Sequence, residues 1–121
     1  VAAIVGSIIV HHPSRSGGPA DMKLGILVNT EEHPDAVLGI TNAALARGHE
    51  VSIFIMDAGT HLLRQPAIQE LSARQTIVMS FCEHSAQGLS VPFDAIPAAV
   101  VRGSQYDNAT MLHDADKVIV L

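Results

Sequence analysis

Short apolar runs recur along the chain from residue 23 onward, and each one ends at polar or turn-forming residues. Continuous apolar runs of this length are typical of strands that are buried on both faces of a parallel sheet. The pattern therefore predicts five strands, at residues 23–29, 50–56, 75–81, 98–102 and 117–121.

Segments with helical spacing separate these runs. Residues 36–47 repeat apolar positions at the helical period, Pro34 suits the first turn, and Gly48 suits the C-terminal end. A short helical turn is predicted at 61–64, and helices at 66–74, 83–89 and 106–115. Strands that alternate with helices form right-handed βαβ units. The fold class predicted is α/β: a three-layer α/β/α domain whose five-stranded parallel sheet has the flavodoxin-like order 2-1-3-4-5, with the first strand central.

The first 21 residues differ in character from the rest. Residues 1–10 are apolar, and residues 14–21 are rich in Ser, Gly and Pro, which is typical of a linker. No basic region precedes the apolar stretch, and it is too short to cross a membrane. We therefore expect residues 1–21 to be an N-terminal extension or an incidental remnant, and the domain to span 22–121. If the apolar stretch is ordered, its Val and Ile content favours a strand.

Composition narrows the class of protein. With 121 residues, 48% hydrophobic and 16% charged, the chain is predicted to be a small soluble protein with one folded domain. So many apolar residues in a small domain leave apolar surface to cover, which favours a homo-oligomer. A net charge of −5 and 3% aromatic residues argue against a nucleic-acid partner.

The chain has one cysteine and no motif for nucleotide or metal binding. A single cysteine excludes an internal disulfide and favours a reducing compartment, so the expected location is the cytoplasm. Glycine-rich phosphate-binding motifs and a His-Glu-x-x-His pair are absent. We therefore expect neither a cofactor nor a metal ion.

The single cysteine stands where a parallel sheet carries its chemistry. Cys82 follows the third run directly, at the carboxyl edge of the predicted sheet. A helix that begins there would favour the thiolate, which is the form that accepts and donates sulfur, and His84 is a candidate helper. Two alternatives are a buried Cys82 that packs as a small hydrophobe and a His84 that is an exposed loop residue. A metal held by this pair would lack a third ligand.

Three further turns belong to the same edge. Gly103 and Ser104 follow the fourth run, and adjacent parallel strands are about 4.8 Å apart, so backbone amides of this turn are expected to face the Cys82 sulfur. The alternative is an ordinary turn with a polar helix cap. Asn29 and Thr30 follow the first run and either line the same cleft or cap the next helix. Asp57 follows the second run and is interpreted as a turn residue.

The order of these pieces resembles the DsrE/DsrF/TusD-like sulfur-relay family. The resemblance covers residues 22–121 and rests on the opening strand 24–28, the segment 44–51, the strand 53–57 with its Ala58-Gly59-Thr60 turn, the strand end Ser80-Phe81-Cys82, and the closing segments 96–103 and 115–120. It implies a three-layer domain that assembles into trimers or hexamers. It also implies that the cysteine after the third strand, Cys82, holds sulfur as a persulfide and passes it to a partner.

Two functions of different classes follow. The first is a sulfur carrier, or sulfurtransferase, in which Cys82 receives sulfur from a donor protein and hands it to an acceptor protein. The second is a non-catalytic oligomeric binding or regulatory module in which Cys82 is structural. The exposure and reactivity of the thiol separate the two.

Overall fold

The structure, a computed structural model, describes residues 22–121 and the backbone of residues 9–11. Its strands are β1 (Ile9–His11), β2 (Lys23–Val28), β3 (Glu50–Ile55), β4 (Ile77–Cys82), β5 (Val101–Gly103) and β6 (Lys117–Val120). Its α-helices are α1 (Pro34–Ala46), α2 (Pro66–Leu71), α3 (Glu83–Gly88) and α4 (Gln105–Asp114). Two 3₁₀ helices, Asp57–Arg64 and Phe93–Ala95, complete the described elements.

The predicted α/β fold with five parallel strands is confirmed. The strands lie in the order β1-β6-β2-β3-β4-β5, and the pairs from β6 to β5 are all parallel. A sixth strand, β1, pairs antiparallel with β6 at one edge. It comes from the segment for which the Val and Ile content favours a strand. The rest of that segment, residues 1–8 and 12–21, lies outside the described residues, so the interpretation of 1–21 as an extension stays a prediction.

The predicted strand order is wrong. In the order 2-1-3-4-5 the first domain strand would lie between the second and the third, whereas β2 lies between β6 and β3. The reason is that each of the first three crossovers advances to the next position outward, and only the last one returns. The amide of Lys23 donates to the Asp116 carboxylate at 2.8 Å, and the amide of Leu121 donates to the Leu27 carbonyl at 2.8 Å. These bonds hold β6 beside β2.

This strand order distributes the helices unequally over the two faces. Right-handed crossovers that advance in one direction place their helices on one face, so α1, α2 and α3 share a face and α4, on the return, covers the other. The first face holds the larger core, which includes Ile26, Ile53 and Met79. The second face holds a smaller cluster of Phe54, Cys82 and Met111.

Helix α4 leaves part of its sheet face uncovered. It lies close over Gly25, where an added Cβ would be 3.1 Å from the Ala115 Cβ. Farther along the face, at β4 and β5, Val78 is 61% exposed and Val101 is 49% exposed. One helix is too narrow for five strands, so this apolar surface stays open in the single chain.

Some predicted boundaries shift, and three of the shifts affect the site. Strand β4 continues through Cys82, which was expected to be the first residue after it. The fourth predicted strand, 98–102, is observed as Val101–Gly103, because the chain turns where the Val100 amide donates to the Pro97 carbonyl at 3.0 Å. The last helix begins at Gln105, with Ser104 as its N-cap.

Candidate functional site

Cys82 joins β4 to α3 without an intervening loop. It ends the strand, and its extended backbone (φ −78°, ψ 113°) makes it the N-cap of the helix. The Cys82 Sγ accepts a hydrogen bond from the Ser85 amide at 3.5 Å. N-cap side chains accept bonds of this kind from the second or third helical residue, a role that Ser, Thr, Asp and Asn usually fill. The local fold therefore directs a backbone donor at the sulfur.

An open cleft begins at this sulfur. It lies at the carboxyl edge of the sheet, has a volume of about 640 Å³, and is lined by residues 56–57, 82–85, 87 and 103–105. Cys82 is paired with Gly103 across β4 and β5, which brings the two predicted turns together. The residue as a whole is only 4% exposed, because it also packs with Phe54 in the smaller core. Cys82 thus lies between the core and the cleft.

The surroundings of Cys82 favour its thiolate. Burial raises the pKa of the thiol, but neighbouring groups that can donate to the sulfur act against burial: the side chain and backbone of Ser85, the Gln105 side chain and the His84 backbone. Together they outweigh burial, and the pKa of Cys82 lies below that of an ordinary thiol. The physical cause is hydrogen bonding to the charged form, which lowers the pKa of an acid.

The amides of the turn after β5 are already occupied. The Ser104 amide donates to the Asp107 Oδ2 at 2.8 Å, and the Tyr106 amide donates to the Ser104 Oγ at 3.2 Å, so the two side chains form a capping box. The expectation that the Ser104 amide faces the sulfur is corrected here, because this amide binds Asp107. The Ser85 amide, on the helix that Cys82 caps, donates to the sulfur instead. For the Gly103 amide the expectation stays a prediction. Ser104 lines the cleft as a helix cap.

The same turn adds to the cleft a residue that the sequence analysis did not single out, Gln105. It is the first residue of α4, it lines the cleft, and its side chain is one of the groups that lower the pKa of Cys82. Its Oε1 accepts a hydrogen bond from the Asn108 Nδ2 at 3.1 Å, and its Nε2 lies 3.7 Å from the Met56 Sδ. A glutamine just after an N-cap carries no recognisable motif, so only the cap at Ser104 could have drawn attention to it.

The charged groups at the cleft are mostly acidic. Asp57 and Glu83 contribute carboxylates, and His84 is an exposed residue on the rim. Asp57 has a positive φ of 48°, which agrees with its interpretation as a turn residue. Over residues 22–121, no group of three or more His, Cys, Asp or Glu side chains could hold a metal ion. The groups that lower the pKa of Cys82 are hydrogen-bond donors of Ser85, Gln105 and His84.

Asn29 and Thr30 are not among the residues that line this cleft. Their amides donate to the Leu121 carbonyl at 3.0 and 3.3 Å, and the Thr30 Oγ1 accepts from the Glu32 amide at 3.4 Å. The strand order explains this placement, because β3 separates β2 from β4. Met56 and Asp57, at the end of β3, take the positions that the predicted order assigned to Asn29 and Thr30.

Comparison with known proteins agrees with this architecture. A model of the DsrE/DsrF-like family matches residues 22–121. The structure of the ychN protein from E. coli has a TM-score of 0.69 and 16% identity, over 84% of this chain and 99% of that chain. The protein of unknown function MTH1491 from Methanobacterium thermoautotrophicum has a TM-score of 0.61 and 14% identity, over 84% and 100%. At such identities the likeness shows the fold alone. No curated protein sequence matches the chain at a significant level.

Proposed function

Since the chain belongs to the DsrE/DsrF-like family, we propose that it is a sulfur carrier that holds a persulfide on Cys82 and passes the sulfur to a partner protein. The observation that carries the proposal is the hydrogen bond from the Ser85 amide to the Cys82 Sγ at the edge of an open cleft. A sulfur with this donor and this access supports the thiolate that such a reaction needs.

The reaction balances without an oxidant or a cofactor. The Cys82 thiolate attacks the outer sulfur of a donor persulfide, so that a new S–S bond forms on Cys82 and the donor's S–S bond breaks. The donor leaves as a thiolate, and Cys82 holds the transferred sulfur as a persulfide. In the second step a thiolate of the acceptor protein attacks that outer sulfur, and the Cys82 thiolate is regenerated.

Mass spectrometry of the intact protein tests this function. After incubation with inorganic polysulfide and removal of excess reagent, the wild-type mass should increase by one sulfur atom, and the increase should vanish on treatment with a reductant and in the Cys82→Ser variant. Wild-type protein kept in urea is a control that retains the thiol but loses the site. The proposal fails if the folded protein gains no sulfur, or if it gains and keeps no more than the unfolded protein does.

A second candidate function has its own observation. Cys82 is 4% exposed and packs with Phe54 and Met111, as a structural cysteine would. In that case the protein is a non-catalytic binding or regulatory module. A thiol that reacts with iodoacetamide no faster at pH 7 than free cysteine supports this function, whereas a faster reaction supports the carrier.

Association into a homo-oligomer, a trimer or a hexamer, is part of the proposal. The open sheet face beside α4 exposes Val78 and Val101 on adjacent strands, and packing against a further copy would remove this apolar surface from water. Light scattering at micromolar concentration should give a multiple of the 12.8 kDa chain mass. Val78→Lys should lower that mass, because it places an unpaired charge on the face; a monomeric wild type would contradict this part.

The compartment and the partners follow from the chemistry. A single free thiol that cycles between thiolate and persulfide needs reducing surroundings, so we place the protein in the cytoplasm. Among the described residues, no helix has the length and apolar character needed to cross a membrane. The expected partners are a donor protein with a persulfide and an acceptor protein with a thiolate, and nucleic acid is not among them.

A further inference from the structure

This inference rests on the function proposed above, in which Cys82 carries a negative charge. The charged side chains at the cleft do not favour that charge. A thiolate or persulfide on Cys82 is an anion, and the two carboxylates at the cleft, Asp57 and Glu83, oppose it. The Ser85 amide approaches the sulfur from α3. On the side of the cleft formed by the start of α4, the side-chain amide of Gln105 is an uncharged group that can donate.

The orientation of the Gln105 amide is held by a neighbour one helical turn later. The Asn108 Nδ2 donates to the Gln105 Oε1 at 3.1 Å. This directs the Nε2 into the cleft, where it donates to the Sδ of Met56 at 3.7 Å, and Met56 in turn packs against the cluster that contains Cys82. A reversed amide would turn its oxygen toward the negative sulfur. Asn108 itself is partly buried, and its Oδ1 has no hydrogen-bond partner in the described structure. The hydrogen bond that the Asn108 side chain makes is therefore the one to Gln105.

We propose that Gln105 binds the anionic sulfur on Cys82 through its Nε2–H, and that Asn108 is the positioning residue that keeps this donor directed into the cleft. The Gln105 side chain is among the groups that lower the pKa of the Cys82 thiol, which agrees with this role. Because α4 supplies the donor, the reactive state of Cys82 depends on the packing of α4 as well as on its own strand and helix.

The first test is the pH dependence of alkylation by iodoacetamide, measured without any sulfur donor. Gln105→Leu should move the midpoint of the profile to higher pH. Loss of a hydrogen bond to a charged group lowers the thiolate population by about tenfold. The thiolate of a more basic thiol is more nucleophilic, which offsets part of this loss of rate. The alkylation rate at pH 7 should therefore fall about fourfold. Gln87→Leu is the matched control, because Gln87 also lines the cleft. Equal profiles for the two variants would overturn the role of Gln105.

The second test is a double-mutant cycle for Asn108. Asn108→Asp keeps the shape of the side chain but removes its donor, so the Gln105 amide should reverse and the alkylation rate at pH 7 should fall about as far as in Gln105→Leu. In the Gln105→Leu background the same substitution should have less than half of that effect. An equal effect in both backgrounds would show a through-space charge effect and would overturn the positioning role.

These outcomes are independent of the proposed function. If the Gln105 and Asn108 variants behave as expected but folded wild-type protein gains no sulfur from polysulfide, then the donor arrangement stands and the carrier function fails. If wild-type protein becomes persulfidated and Gln105→Leu keeps both its alkylation profile and its persulfide lifetime, then the carrier function stands and this inference fails.

Discussion

Replacing Gly103 by alanine should weaken the fold through one crowded contact. Gly103 pairs with Cys82, and an added Cβ would collide with the Asp107 carboxylate, whose Cγ would be 2.8 Å away. That carboxylate accepts the Ser104 amide at 2.8 Å in the capping box of α4. Gly103 does not have a positive φ, so its backbone accepts alanine and the effect comes from the lack of space.

The magnitude follows from three contributions. Loss of a helix cap costs about 1 kcal/mol, and crowding in a packed contact costs about 1–3 kcal/mol if Asp107 cannot move away. Alanine restricts the unfolded chain and returns about 0.4–1 kcal/mol. Asp107 loses its bond to Ser104 when it moves and relieves only part of the crowding, so the cap and about 1 kcal/mol of crowding both count. Less the return from alanine, we expect the free energy of unfolding to fall by about 1–2 kcal/mol.

Urea denaturation provides the assay, and Gly39→Ala is the matched control. Gly39 lies within α1, and no atom lies within 4 Å of an added Cβ there. The same substitution should raise the free energy of unfolding by about 0.5–1 kcal/mol at Gly39, because alanine favours the helix. The two variants should thus change stability in opposite directions. A Gly103→Ala protein at least as stable as wild type would refute the reasoning.

Two further predictions concern Cys82. Ser85→Ala removes the side-chain contribution to the lowered thiol pKa and should lower the alkylation rate at pH 7 about fourfold. His84→Ala keeps the backbone contribution of His84 and should change the rate less than twofold. The reverse ranking would contradict the site as described. The pKa of Cys82 is lower in the folded protein than in the unfolded chain, so ionisation of the thiol stabilises the fold. This stabilisation is complete at pH values above the ordinary thiol pKa, and it is lost as the pH falls through the folded-state pKa. The difference in free energy of unfolding between wild type and Cys82→Ala should therefore widen in favour of wild type as the pH rises through that range, and a constant difference would contradict a lowered pKa.

Elements whose signal is local were predictable from the chain alone. The runs at β2, β3 and β6 were placed to within a residue or so, because a strand buried on both faces must be apolar throughout. Pro34 begins α1, and Gly48, with a φ of 82°, follows its end, as their conformational preferences require. The position of Cys82 at the end of β4 follows from the same local pattern.

The neighbours of Cys82 depended on which strands pair, and local patterns do not contain that information. An apolar run records that a strand is buried, but not which strand lies beside it, so the order 2-1-3-4-5 fitted the chain as well as the observed one. With β3 between β2 and β4, Met56 takes the place expected for Asn29 beside the sulfur. Gln105 lies at the cleft because β5 pairs with β4, so the start of α4 comes to the same edge of the sheet as Cys82. Contacts between residues far apart in the chain arise from packing, and packing forms only when the whole sheet is assembled.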